Sequence, residues 1–219
     1  MEVGDREKIR LVGEAVMGGG VIIYPTDTVL GIGGNPFMPS VVRRVFDIKH
    51  RDSKPMPVLV SGRAQAEHLV EVDSLSSRLM ELLWPGALTL VLNKRRLMPF
   101  ELTMGSGKLG VRMPNHALAL ELLDASGGAL IGTSANHSGR PAPKGLDELD
   151  PNVERGADIV VDGGGQGNGV SSTVVEVSGP SAGGPWRVKI IREGAVRALV
   201  IKEKLRDSEI KGEFVFEGV

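Results

Sequence analysis

The sequence contains no cysteine, and this absence excludes several kinds of chemistry. Without thiols the chain forms no disulfide, builds no cysteine-ligated zinc ribbon and offers no thiol nucleophile. A chain without cysteine fits a reducing compartment, and we expect a cytoplasmic protein. Aromatic residues make up only 4% of the sequence, which argues against stacking of nucleic-acid bases as the main binding device.

A large charge imbalance and long apolar runs are also lacking. The 219 residues carry a formal net charge of −1, so a basic surface that attracts an anion must be local. No apolar run approaches the roughly 20 residues that a transmembrane helix needs. The first residues alternate between acidic and basic, which is unlike a signal peptide. We therefore expect a globular protein of one domain that makes no membrane contact.

Hydrophobic periodicity predicts alternating helices and strands. The predicted helices cover 5–17, 39–48, 63–70, 74–84, 116–126 (capped by Asn115) and 195–205. Short apolar runs predict strands at 21–25, 56–60, 87–92, 109–113, 129–131, 158–161, 173–177 and 186–191, with one more in the tail. This order, with two passages directly from strand to strand, predicts a single-domain α/β (α+β) fold in which helices flank an open, twisted, mixed sheet.

Three predicted strands lead directly into polar, glycine-rich loops. "VIIYP" precedes "TDTVLGIGGNP", "ALI" precedes "GTSANHSGRP", and "DIVVD" precedes "GGGQGNGVSST". Ligands of open α/β sheets bind in a crevice outside the ends of the strands. The loop over 132–141 is therefore either a capped turn, in which Ser and Asn bond their own backbone, or part of a binding site.

Two parts of the sequence supply cations that could lie near these loops: Arg112 and the segment 43–54. Arg112 lies inside a predicted strand, where it either faces solvent or clamps an anion in the crevice. The segment 43–54 holds five Lys or Arg residues and two Asp residues, a local charge of +3. It is either a solvated surface patch or a grip on phosphate, since Arg and Lys both bind phosphate oxygens.

Familiar catalytic motifs are missing. "GSGKLG" lacks the hydroxyl residue that follows the lysine of a P-loop, and "GTSAN" lacks the closing glycine of a nucleophile elbow. The four histidines show no metal-ligand spacing, and no pair of carboxylates stands out for acid–base catalysis. We predict no catalytic side chain and no protein metal ligand. Hydroxyls, amides and cations suit a reaction in which bound ligands react with one another.

Seven motifs occur in the order found in the YrdC-like family, which this sequence resembles. They are "YPTDTVLGIG", "KHR" at 49–51, "WPGALTLVL", "VRMP", "TSANHSGRP", "SSTVVEV" and "IIREGA". Each motif is weak alone, but their order over roughly residues 10–195 is specific. The resemblance implies a YrdC-like catalytic domain over 5–195 with a large concave ligand cleft. It leaves 196–219 as a short C-terminal extension of helix and strand, close to the single-domain form.

The resemblance also implies an activity. In this family L-threonine, bicarbonate and ATP, with Mg²⁺, give threonylcarbamoyl-adenylate and pyrophosphate, so we expect a nucleotidyltransferase. The product feeds the t6A modification of tRNA, which makes the downstream t6A transferase machinery a partner and adds tRNA or double-stranded RNA as a further candidate. The nucleophile belongs to the substrate, in agreement with the missing catalytic motifs.

The family signature assigns residues to two ligands. The implied ATP-binding residues are Lys49, Arg51, Lys54, Ser134, Asn136, Lys144 and Arg192. The implied threonine-binding residues are Thr26, Arg112 and Ser172. Two positions depart from the family pattern: Leu30 replaces an aromatic residue, and Lys108 replaces a hydroxyl that faces the nucleotide.

Three alternatives stay open at this point. One is an RNA-binding module of the same fold without the activity, which would track phosphates along its surface. Another is a paralogue with a different small substrate, which the departures at Leu30 and Lys108 allow. The third is the carbamoyl-transfer module of hydrogenase maturation, which carries zinc fingers; the absence of cysteine argues against it.

Overall fold

Helices and strands alternate along the chain in the computed structural model, which describes residues 5–51, 54–163, 167–179, 184–208, 210 and 212–218. The helices are α1 (Arg6–Met17), α2 (Pro39–Lys49), α3 (Arg63–Leu69), α4 (Ser74–Leu83), α5 (Phe100–Thr103), α6 (Ala117–Ala125), α7 (Pro151–Gly156) and α8 (Ala198–Arg206). The strands are β1 (Ile22–Tyr24), β2 (Gly31–Gly33), β3 (Val58–Val60), β4 (Leu88–Asn93), β5 (Lys108–Arg112), β6 (Ala129–Ile131), β7 (Thr133–Ser134), β8 (Ile159–Val160), β9 (Thr173–Ser178), β10 (Trp186–Arg192) and β11 (Phe214–Glu217).

The strands form two mixed sheets. The larger sheet has the order β11-β10-β9-β4-β5-β3-β6, and the smaller sheet has the order β7-β2-β1-β8. Within the larger sheet β4 pairs with β9 in parallel and with β5 antiparallel. Within the smaller sheet β1 pairs with β8 in parallel and with β2 antiparallel. The predicted mixed α/β fold is confirmed, and the strands are divided between two sheets.

Gly132 marks the point where the chain passes from the larger sheet to the smaller one. It separates β6 from β7, and its N–H donates to the Pro57 carbonyl oxygen at 2.8 Å. A Cβ at this position would lie 2.6 Å from Cγ of Leu59, so only glycine lets the backbone approach this closely. The polar loop after β6 therefore starts directly against the larger sheet.

The two faces of the larger sheet have different roles, because successive side chains of a strand point to opposite faces. On one face Leu88, Leu90 and Leu92 of β4 belong to the main hydrophobic core. Leu90 lies opposite Val111 of β5 in the strand register, and Val111 is equally buried. The main core on this side also contains Leu69 of α3, Leu79 of α4 and Ile201 of α8.

The opposite face of the same strands carries polar and small residues. Val91 pairs with Gly110 of β5 and with Glu176 of β9, while Thr89 pairs with Val174. These residues line a concave space and do not belong to the core. One face of the sheet is thus the floor of a cleft, while the other face holds the fold together.

A second core lies beneath the smaller sheet. Val16 of α1 and Leu122 of α6 pack there with Ile22 and Tyr24 of β1. The two helices can approach closely because residue 13 is glycine and has no side chain. A Cβ at this position would lie only 2.4 Å from the Ala125 carbonyl oxygen. This packing fixes β1 and therefore the start of the polar loop that follows it.

Sequence periodicity located the longer elements correctly, but it missed five short ones. These are β2, α5, β7, α7 and a single 3-10 turn over Leu146–Glu148. The cap predicted for α6 is wrong: the N-cap is His116, whose Nδ1 accepts the Ala119 N–H at 3.3 Å, and not Asn115. The predicted C-terminal extension supplies α8 and β11, and β11 extends the larger sheet beside β10. Its boundary at 196 stays a prediction. None of the described helices is long and apolar enough to span a membrane.

Two neighbouring substitutions in β4 test the division between the sheet faces. Leu90→Ala should lower the free energy of unfolding by about 2–5 kcal/mol, because Leu90 is fully buried. Val91→Ala is the matched control: Val91 lies on the partly exposed cleft face and should cost about 1 kcal/mol or less. Urea unfolding of both variants measures the difference. Equal losses would contradict the two-faced sheet.

Candidate functional site

A cleft of about 420 Å³ lies over the polar face of the larger sheet. Its floor comes from β4, β5 and β9, and its walls come from the loops that follow β1, α2 and β6. Polar residues of the lining include Thr26, Thr28, Arg51, Thr89, Lys108, Arg112, Ser134, Ser172, Glu176 and Arg192. Six of the residues predicted from the sequence therefore meet in one cavity.

Arg112, at the end of β5, is a buried cation in this cleft. Its side chain is only 6% exposed. Nε donates to the Gly86 carbonyl oxygen at 2.9 Å, Nη1 donates to Oγ1 of Thr28 at 3.0 Å, and Nη2 forms an ion pair with the Asp27 carboxylate. Burial lowers the pKa of Arg112, and the charge of Asp27 opposes that shift. The structure thus decides between the two interpretations of Arg112: it faces the cleft.

A directed hydrogen-bond chain starts at Arg112 and runs through the loop after β1 to the Val29 carbonyl oxygen. The Thr26 hydroxyl donates to the Val29 carbonyl oxygen at 2.6 Å, and the Thr26 and Thr28 hydroxyls lie 2.9 Å apart. Because a hydroxyl has one proton, Thr26 accepts the proton of Thr28, and Thr28 accepts from Arg112. The loop therefore presents its hydroxyls and the guanidinium as one network.

Ser172 lies between this network and a second arginine. Its hydroxyl is 2.9 Å from the hydroxyl of Thr89 on the cleft floor. Nη2 and Nε of Arg192 donate to the Ser172 carbonyl oxygen at 2.8 and 3.2 Å. The residues predicted to bind threonine and the predicted nucleotide arginine are thus neighbours.

Arg51 and Arg192 form a cationic wall of the cleft. Burial lowers the pKa of both, and the charge of Arg192 lowers the pKa of Arg51 further. Nε and Nη2 of Arg51 donate to the carbonyl oxygens of Lys54 and Pro55 at 2.9 and 2.8 Å. Within the described part of the chain, neither arginine has a carboxylate partner. Two neighbouring cations, Arg51 half-buried and Arg192 exposed, favour a bound anion.

Lys49 lies under the loop and away from the cleft. The amine is buried, and it donates to the carbonyl oxygens of Ser134 and Asn136 (2.8 Å for Asn136) and to Oδ1 of Asn136 at 3.4 Å. Burial, with the charge of Arg51 nearby, lowers the pKa of Lys49 to about 7. The geometry shows Lys49 holding the loop that carries Ser134; its role in binding ATP stays a prediction.

Three other residues predicted to bind ATP lie outside the cleft lining. Asn136 donates through Nδ2 to the His137 carbonyl oxygen at 3.0 Å, and it lines a separate cavity on the other side of its loop. Lys54 and Lys144 are exposed. Their roles in binding ATP stay predictions. Part of the glycine-rich loop predicted after β8, residues 164–166, falls outside the described residues.

The two departures from the family pattern have different consequences. Leu30 points into the main core and does not line the cleft. Lys108 does line the cleft, where Nζ lies 2.6 Å from Oε1 of Glu176. Lys108 and Arg112 stand at opposite ends of β5, roughly 13 Å apart at about 3.3 Å per residue. An ion pair thus occupies the far end of the cleft floor.

Sequence reasoning missed two carboxylates of this site. Asp27 is the partner of Arg112, and Glu176 is the partner of Lys108. The alternation of Ser172, Val174 and Glu176 along β9 was a usable signal, because these residues share one face of a strand. The sequence signal for Asp27 was weaker: it is the one charged residue in the loop that follows β1.

The fold and the site together define an α/β protein with a cleft that guanidinium groups and hydroxyls line on one face of a mixed sheet. The model of the Sua5/YciO/YrdC family, described as "Telomere recombination", matches residues 14–194. The chain belongs to this family, which confirms the resemblance seen in its motifs.

Curated relatives share the same name. The chain is 32% identical over 191 residues to "Threonylcarbamoyl-AMP synthase" of Pyrococcus abyssi, covering 86% of this chain and 54% of the relative. It is 36% identical over 158 residues to the protein of that name from Bacillus subtilis, covering 71% and 46%. The chain thus spans about half the length of these two relatives. A "Putative threonylcarbamoyl-AMP synthase" of Methanocaldococcus jannaschii is 29% identical, with 88% of each chain covered.

Solved structures show the same fold. The structure of P. abyssi Sua5 complexed with L-threonine matches 98% of this chain and 61% of that chain, with a TM-score of 0.84 and 28% identity. E. coli YciO matches 89% of this chain and 92% of that chain, with a TM-score of 0.77 and 24% identity. The second match bears on the fold alone.

Replacing the buried lysine tests its environment through pH. Unfolded lysine keeps its proton up to about pH 10.4, whereas folded Lys49 has a pKa of about 7. Between these values the unfolded state binds more protons. The contribution of Lys49 to the free energy of unfolding therefore rises with pH, by at most about 1.4 kcal/mol per unit. Urea unfolding between about pH 6 and 9 should show this rise in the parent and not in Lys49→Met. Parallel curves for the two proteins would contradict the lowered pKa.

Proposed function

We propose that this chain is a threonylcarbamoyl-AMP synthase, which forms threonylcarbamoyl-adenylate and pyrophosphate from L-threonine, bicarbonate and ATP. One observation carries the proposal: the cleft brings a buried guanidinium with hydroxyls next to two arginines that have no carboxylate partner in the described chain. The first group suits a small hydroxy amino acid, and the second suits phosphate. The names of the relatives and the threonine complex of P. abyssi Sua5 support this assignment.

Arg112 is the proposed clamp for the carboxylate of threonine. A guanidinium offers two parallel N–H donors that match the two oxygens of a carboxylate, which an ammonium does not. Thr26 and Ser172 line the same cleft and are the proposed partners for the polar groups of threonine. Tyr24 and Gly31 complete this wall.

The reaction needs positioning more than a protein nucleophile. The amine of threonine combines with bicarbonate to give a carbamate and water. A carbamate oxygen then attacks the α-phosphorus of ATP, the bond from that phosphorus to the bridging oxygen breaks, and pyrophosphate leaves. Arg51 and Arg192 stabilise the negative charge of the phosphates, and Ser134 lies on the same cleft surface. Holding the reactants in line supplies the main part of the rate enhancement.

The proposal extends to the surroundings of the reaction. We propose that Mg²⁺ enters as MgATP, held by the phosphates of the substrate; the described residues contain no group of three His, Cys, Asp or Glu side chains that could hold a metal ion. The product would pass to the t6A transferase machinery and from there to position 37 of tRNA. The proposed location is the cytoplasm, where ATP, bicarbonate and tRNA occur together.

Release of pyrophosphate from ATP should depend on threonine and bicarbonate. The assay incubates the protein with MgATP and bicarbonate and adds L-threonine, L-serine, L-alanine or no amino acid. Only threonine should give full turnover, with threonylcarbamoyl-adenylate detected by mass spectrometry. Equal release with alanine or without an amino acid would contradict the proposed function.

Two arginine variants should separate the two ends of the cleft. Arg112→Lys should raise KM for threonine at least about tenfold, because it loses the paired donors, and should change KM for ATP much less. Arg51→Lys is the matched control and should shift KM for ATP rather than KM for threonine. Steady-state kinetics with each substrate varied in turn measures both. Unchanged KM for threonine in Arg112→Lys would remove Arg112 from the substrate site.

A further inference from the structure

Asp27 is the ion-pair partner of Arg112, which lines the cleft, and the proposed chemistry gives Asp27 no part. It directly follows Thr26, and its side chain is 16% exposed. Its carboxylate forms an ion pair with Nη2 of Arg112. In the other Lys or Arg ion pairs of the described chain, both side chains are at least a quarter exposed. One further pair has a histidine as its cation. The pair of Asp27 and Arg112 is thus the most buried one described.

The backbone that carries Asp27 is fixed from outside the cleft. The carbonyl oxygens of Asp27 and Thr28 accept the N–H groups of Asn168 and Gly169 at 3.2 and 2.8 Å. A Cβ on Gly167 would lie 2.3 Å from the Thr28 carbonyl oxygen, so the two loops touch through backbone atoms. Asp27 therefore sits on a clamped loop and cannot easily move away from Arg112.

The hydrogen bonds of Arg112 leave room for one ligand carboxylate. A guanidinium has five N–H groups. The Gly86 carbonyl, the Thr28 hydroxyl and the Asp27 carboxylate each accept one of them. One N–H on Nη1 and one on Nη2 remain, and these are the two donors that we assign to the carboxylate oxygens of the substrate. A buried guanidinium without an anion is costly, and Asp27 supplies that anion when no substrate is bound.

We propose that Asp27 is a positioning residue for substrate recognition: it keeps the guanidinium of Arg112 charged, buried and oriented so that its two remaining N–H groups receive the carboxylate of the substrate amino acid. This inference rests on the proposed function. The alternative is that the carboxylate of Asp27 competes with the substrate carboxylate for Arg112 and leaves Arg112 when the substrate binds. The clamped loop favours positioning, because the carboxylate stays with Arg112 during binding.

Asp27→Asn tests the role, since it keeps the shape and an acceptor oxygen but removes the charge. KM for threonine should rise at least about tenfold, while KM for ATP stays within about twofold. The double variant Asp27→Asn with Arg112→Lys should have the same KM for threonine as Arg112→Lys alone, because both changes act through one guanidinium. Asp158→Asn, which breaks the exposed ion pair with Arg44, is the matched control and should leave both KM values unchanged.

Each outcome decides the inference. A lower KM for threonine in Asp27→Asn would show competition and overturn positioning. A lower Tm with unchanged KM would leave Asp27 only a structural role. If Asp27→Asn does not fold, Asp27→Glu keeps the charge and moves it by one methylene, so KM should rise by a smaller factor; no rise would overturn the inference. A parent protein that shows no dependence on threonine overturns the proposed function itself, and the inference falls with it.

Discussion

The alternation of side chains along β4, β5 and β9 is the constraint on which the rest of the structure depends. Leu90 and Val111 face the helices and build the core, so Val91 and Gly110 must face the other way. That second face cannot be covered by a helix if it is to bind a ligand. It is left open as the floor of the cleft, and every polar group discussed above is placed relative to it.

The buried guanidinium of Arg112 constrains the loop that follows β1. Arg112 extends from the floor into a space where an unpaired charge is costly, so the loop after β1 supplies a carboxylate and a hydroxyl to it. The loop after β6 is held in a comparable way, by the amine of Lys49 on its carbonyl oxygens. Internal polar groups thus hold two loops in place at the cleft.

Periodicity and motif order predicted most of the fold and about half of the site geometry. The helices over 39–48 and 74–84 were predictable because their apolar stripes and stop signals are strong. The strand β2 was not, because "GIG" reads as a loop and becomes a strand only by pairing with β1 and β7. Motifs singled out Arg112 and Arg192, and both line the cleft, while their ligands stay predictions. They could not show that Lys49 turns inward, because the direction of a side chain at a helix end depends on which loop covers it.

In the proposed function, one face of the larger sheet binds an amino acid through Arg112 while Asp27 stays in place. A crystal structure of this chain grown with L-threonine would show whether it does. We expect the threonine carboxylate on the two remaining N–H groups of Arg112, with the ion pair to Asp27 intact and the threonine hydroxyl toward the loop after β1. Threonine bound elsewhere, or bound with Asp27 displaced from Arg112, would contradict it.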